Sequence, residues 1–95
     1  MAERVGELTI NYSEGGTELV QELDKVILSK GAWATVLFRY REWDRAKEAY
    51  GPEKYSIRRY QKRGHEFRQQ SKFNISSKAQ AQVLIGALQK WLDEH

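Results

Sequence analysis

The segment KYSIRRYQKRGHEFRQQSKFNIS, residues 54–76, decides how this chain folds and what it can hold. It contains seven Lys or Arg, four aromatic side chains and one carboxylate. KYSIRRYQK and EFRQQSKFNI both have strand length, and KRGH between them centres a turn on Gly64, so the segment reads as two antiparallel strands. In the first strand, Tyr55 and Ile57 are expected to face the core, leaving Ser56, Arg58, Tyr60 and Lys62 on the opposite face. Phe73 and Ile75 point inward from the second. Arg59 then falls on the inner side, which places it near a sheet edge or a subunit boundary.

Upstream, WATVLFRYREW (residues 33–43) is the clearest strand of the chain. Val36, Phe38 and Tyr40 alternate with Leu37, Arg39, Arg41 and Trp43, so one face is apolar and the other mostly cationic. LVQELDKVIL before it is readable as two turns of helix or as a strand. The β-branched Val26 and Ile27 and the following Ser29-Lys30-Gly31 turn favour the strand. Residues 44–53, with Gly51-Pro52, form a loop. The Gly15-Gly16 pair reads as a joint, so residues 1–16 are expected to be a flexible tail or marginal strand, and 17–95 to form one domain.

Downstream the period changes. Ser76 and Ser77 are candidate N-caps, and Ala81, Leu84, Ile85, Leu88, Trp91 and Leu92 make an apolar stripe at helical spacing. The predicted fold class is α+β: a four-stranded antiparallel sheet followed by one C-terminal amphipathic helix whose stripe covers the apolar face of the sheet. Gly86 is either an ordinary tolerated glycine or a site of close approach by another helix, such as the same helix of a second subunit.

Composition narrows the function. With 95 residues the chain makes one small domain, and no run of about 18 apolar residues is present to span a membrane. No signal or transit pattern is visible and cysteine is absent, so the expected setting is intracellular: cytoplasmic and nucleoid-associated in a bacterium, nuclear in a eukaryote. Only His65 and His95 are available as imidazole ligands, the carboxylate pairs lie on exposed stretches, and there is no Gly-rich phosphate loop. The reading is therefore of a protein without catalytic residues, metal or cofactor. The charge, +3 overall, is unevenly placed. Residues 33–73 hold eleven Lys or Arg against five Asp or Glu, a balance of +6, while the two ends together carry −3. Such asymmetry marks a surface for polyanions.

If the two central strands share one solvent face, Arg39, Arg41, Trp43, Arg58, Tyr60 and Lys62 lie together there, and Lys54, Arg63, Phe67, Arg68 and Lys72 extend the set. Cations interleaved with flat rings suit single-stranded nucleic acid, whose phosphates need neutralising and whose unpaired bases need a stacking platform. The alternatives are RNA bound by the same face, or a protein-interaction module whose basic face docks an acidic partner.

The order of strands, Ile57-Arg58-Arg59-Tyr60, then Glu66-Phe67-Arg68, Lys72, Ile75-Ser76 and a final helix to Leu92, resembles the positive cofactor 4 family of transcriptional coactivators and its short bacterial relatives. The resemblance covers residues 20–93. It implies a homodimer paired through the helices, here Leu84, Ile85, Leu88 and Trp91, whose sheets bind single-stranded or melted DNA in a transcription setting with weak sequence preference. It also implies that Arg58 contacts the backbone, that Arg68 and Lys72 take the places of the family's basic residues around the following turn, and that Trp43 stacks on a base. The chain departs from the family pattern at Gln61, where an aromatic is usual, at Gln69-Gln70-Ser71, at Phe73-Asn74 and in the longer 44–53 loop. Tyr60 and Phe67 are the candidate replacement platforms.

Overall fold

A computed structural model describes residues 4–94. The chain is an α+β domain made of an antiparallel sheet and one C-terminal helix. After a short 3-10 turn at Val5–Glu7 come β1 (Tyr12–Glu14), β2 (Thr17–Ser29), β3 (Trp33–Asp44), β4 (Ala49–Tyr50), β5 (Lys54–Arg63), β6 (Glu66–Ile75) and α1 (Lys78–Asp93). The sheet order is β1-β2-β3-β5-β6, with β4 paired to the far end of β3. The ambiguous LVQELDKVIL segment is strand throughout. Two short strands join the four long ones: β4 lies in what reads as a loop, and β1 in the stretch that reads as a flexible tail or marginal strand.

β1 and β2 are joined through Gly15 and Gly16, whose φ angles of 58° and 81° are the left-handed pair that a two-residue hairpin turn requires. The segment before β1 is more than a tail. Leu8 and Ile10 are buried and belong to one core cluster with Ala34, Val36, Phe38, Tyr40, Tyr60 and Phe67. Lys25 Nζ donates to the carbonyls of Gly6 and Leu8, and Asn11 Oδ1 accepts from the Glu22 N–H, where a bulge interrupts β2. This arm, and not the helix, roofs the apolar face of β3. We call that side of the sheet the arm face.

The register of β5 corrects the sequence reading. Phe38 stands opposite Ser56 and Val36 opposite Arg58, whereas Leu37 stands opposite Ile57 and Arg39 opposite Tyr55. Ser56, Arg58, Tyr60 and Lys62 therefore share the arm face with the core, and Tyr55, Ile57 and Arg59 lie on the other side. Strand parity is all or nothing, since moving one residue to the other face moves every residue. Here the deciding contributions are the Tyr60 ring, packed with Phe67 in the core, and the small Ser56, which is fully buried on this face.

The helix starts where expected. Ser77 Oγ accepts from the Gln80 N–H at 3.1 Å, and the Gln80 side chain accepts from the Ser76 N–H at 3.0 Å, so two free donors near the first turn are satisfied. It lies on the side opposite the arm, which we call the helix face. Its main neighbour there is β6, and it leaves an apolar groove of about 580 Å³ between Leu37, Tyr55 and Ile57 on the sheet and Leu84, Ile85 and Leu88 on the helix. Ile85 and Trp91 remain 63% and 60% exposed. The stripe expected to close the core is open. Phe73, expected inward, is exposed as well, while Ile75 is buried.

Candidate nucleic-acid interface

The candidate residues fall on both sides of the sheet. Lys54, Arg58, Tyr60, Lys62, Phe67 and Lys72 occupy the arm face, and Arg39, Arg41, Trp43, Arg63 and Arg68 the helix face. The single ribbon of cations and rings is overturned by the same register that places Ser56 on the arm face. Tyr60 and Phe67, only 5% and 3% exposed, are core side chains and offer no platform for a base. Burial raises the Tyr60 and Tyr40 phenols above the usual tyrosine range.

On the arm face the cations form a row along β5 and β6. Arg58 and Lys72 are direct cross-strand partners, an arrangement of like charges that opposes strand pairing. Arg58 is fixed by donating from Nε to Ser56 Oγ and from Nη1 to Gln69 Oε1, both at 3.2 Å. Ser56 in turn donates to Asn74 Oδ1 at 2.7 Å. Each of these partners is uncharged, and none of the ion pairs among the described residues involves Arg58, Lys62 or Lys72. Lys62 Nζ stands 5.5 Å from the centre of the Phe67 ring. Lys54 differs, because its Nζ meets Glu42 Oε1 at 2.8 Å, and that hydrogen bond raises its pKa.

On the helix face, the far end of β3 is already engaged. The Arg41 guanidinium lies 4.1 Å from the Tyr50 ring centre and donates to Gln21 Oε1. Trp43 packs edge-to-face on Tyr50 at 5.1 Å, and Tyr50 Oη–H donates to the Glu18 carbonyl. Arg39 pairs with Glu53 at 3.5 Å. The β3–β4 corner thus uses Arg41 and Trp43 as packing, with open clefts on either side of the indole.

At the other end of the helix face lie two residues that the sequence reading did not select, Trp33 and Arg59. Arg59 stacks on the Trp33 indole at 4.6 Å, and Arg63 and Arg68 adjoin them through Gln61. Period two counted back from Val36 puts Trp33 on this outer face, but Arg59 joins it only once the β5 register is known.

Among the described residues no cluster of His, Asp or Glu is placed to hold a metal ion, and no helix is long and apolar enough to cross a membrane. No family model, curated protein or solved structure matches the chain.

Proposed function

We propose that the protein binds single-stranded nucleic acid, melted DNA in the first instance, through the arm-face row of Arg58, Lys62 and Lys72, and that it works as a homodimer joined through α1. The observation that carries this reading is the Arg58–Lys72 cross-strand pair: two like charges held opposite each other, with Arg58 hydrogen-bonded to neutral side chains and neither cation in an ion pair among the described residues. A sheet tolerates such a pair at a cost of roughly 0.2–1 kcal/mol, and a phosphate bridging the two would reverse the sign. Binding here is electrostatic and carries little sequence information, because the contacts are to the backbone. The resemblance of its motif order to that of the positive cofactor 4 family favours the same function in transcription.

The dimer is supported by the open groove. Leu84, Ile85 and Leu88 face the apolar strip of the sheet across a gap that α1 leaves unfilled, and Trp91 continues the stripe beyond it. An exposed apolar surface of this kind is a usual mark of an interface. A second copy of α1 has the right length and pattern to fill it.

Fluorescence anisotropy with labelled oligo-dT over a salt series tests the binding surface. Wild type is expected to bind with a steep salt dependence, and Arg58→Ala/Lys72→Ala to bind weakly with a shallower slope. Equal affinity and slope in the two proteins would remove the arm face from consideration. Matched DNA and RNA oligonucleotides in the same assay report the sugar preference.

A further inference from the structure

The patch at Trp33 is separate from the row just described. It lies on the opposite side of the sheet and is built from three strands: Trp33 on β3, Arg59, Gln61 and Arg63 on β5, and Arg68 on β6. The register locks these together. Trp33 pairs with Gln61, and Gln61 with Arg68, while Arg63 donates to Gln61 Oε1 from both Nε and Nη2 at 3.3 and 3.1 Å. Trp33 is 41% exposed, and Arg59 covers part of its ring. Arg59, Arg63 and Arg68 are all exposed, and none is in an ion pair among the described residues. Glu66 is the cross-strand partner of Arg63 but makes no ion pair with it.

We infer that this patch is a second contact surface for single-stranded nucleic acid, so that one protomer can hold two strands, one on each side of its sheet. The choice of nucleic acid over an acidic peptide rests on chemistry. Three guanidiniums suit any polyanion, but an accessible indole already stacked by a guanidinium offers a flat platform on which a base can continue the stack. The arm face has phosphate-binding cations but its rings are buried. The Trp33 patch supplies the stacking that the arm face lacks. Two strands held on opposite faces of one sheet would let the protein bring complementary or adjacent strands together. The inference shares with the proposed function the class of ligand, but it concerns different residues.

Photo-cross-linking locates the contact directly. Wild-type protein is irradiated with an oligo-dT carrying 5-iododeoxyuridine, first at equimolar and then at excess oligonucleotide, and the adducts are mapped by mass spectrometry. The expected result is an adduct at Trp33 that grows with excess oligonucleotide. Arg59→Ala/Arg68→Ala is expected to lose that adduct and the second, weaker binding step, by about tenfold or more. It should keep the first step within about twofold and an unchanged circular dichroism spectrum. Binding of oligonucleotide without an adduct at Trp33, or with an adduct insensitive to Arg59→Ala/Arg68→Ala, overturns the second surface and leaves the first standing. No oligonucleotide binding at all overturns both. If polyglutamate binds this patch while oligonucleotide does not reach Trp33, the partner is an acidic protein and the inference fails. If Arg59→Ala/Arg68→Ala changes the sedimentation of the free protein and no adduct forms, the patch is covered by a second copy, and the inference fails there too.

Discussion

Lys25 on β2 reaches across to the N-terminal arm and donates to the Leu8 carbonyl at 2.6 Å, while the Leu8 side chain sits in the core against β3. One charged side chain and one apolar side chain thus fasten the same short segment. Leu8→Ala is expected to cost about 2–3 kcal/mol, because it opens a cavity in the buried cluster that also holds Val36 and Phe38. Lys25→Ala should cost about 1 kcal/mol, since it removes hydrogen bonds to two carbonyls. Urea titration of both variants checks the ranking. A protein lacking residues 1–10 that unfolds at the wild-type midpoint would contradict the arm's place in the core.

The Arg58–Lys72 pair makes stability and binding respond in opposite directions. Lys72→Glu turns a repulsive cross-strand pair into an attractive one and is expected to stabilise the fold by roughly 0.2–1 kcal/mol. The same change removes a cation of the proposed phosphate-binding row and introduces an anion, so oligo-dT binding should fall well beyond the effect of Lys72→Ala. Lys72→Ala alone should lower the slope of log K against log salt by about 0.7. Thermal melts and anisotropy on the same samples make the comparison. A Lys72→Glu protein that is less stable than wild type would show that the pair is not felt as repulsion.

The helix stripe gives a second separation of effects. Ile85 and Leu88 are exposed in the single chain, so Ile85→Asp should leave the monomer folded and cooperative. It should nevertheless abolish a dimer formed through α1, because a carboxylate would be buried without a partner at the centre of the interface. Sedimentation velocity reads the association state and circular dichroism the fold. Loss of helix and sheet together in this variant would mean that α1 closes the core of its own chain.

Trp43 tests the assignment of the β3–β4 corner. Its edge-to-face contact with Tyr50 predicts that Trp43→Ala and Tyr50→Ala each destabilise the fold, and that the double variant loses less than the two effects combined, by about 0.5–1.5 kcal/mol. Oligo-dT affinity should change little in either. A large loss of affinity in a fully stable Trp43→Ala protein would return the indole to the role of a stacking platform.

Much of the architecture was legible because it is local. The alternation of Val36, Phe38 and Tyr40 marks the buried face of β3, and the seryl cap with the Ala81–Leu92 stripe marks α1. What the sequence hides depends on distant partners. In β5 both parities place an arginine inward or a tyrosine outward, and the choice is made by Phe67 on β6 and by the arm, which are not visible from KYSIRRYQK itself. The bulge between Arg59 and Tyr60 then decides that Lys72, and not Ser71, faces Arg58. The arm was unreadable for the complementary reason. Leu8 and Ile10 are two apolar residues in a polar stretch, too few to signal an element, yet enough to cover a strand that the helix leaves bare. Consequently the cations are legible in the sequence but their sides are not, and Trp33 and Arg59 come together only with the register.

The three groups with raised pKa values set a common direction for the response to alkali. Burial raises Tyr60 and Tyr40, and the hydrogen bond to Glu42 raises Lys54. A group whose folded pKa lies above its unfolded value adds stability that is complete below the unfolded pKa and is lost as pH rises through the folded one. The unfolded values are 10.0 for the tyrosines and 10.5 for the lysine, so melting temperature should decline from about pH 10 upward on account of these groups. Tyr60→Phe removes one contributor and keeps the ring in the core, so its alkaline decline should be shallower than that of wild type. Melting temperatures from pH 8 to 12 for the two proteins decide the matter. Identical slopes would show that the Tyr60 phenol reaches water in the folded protein, which would also reopen the arm face as a place where a ring meets a base.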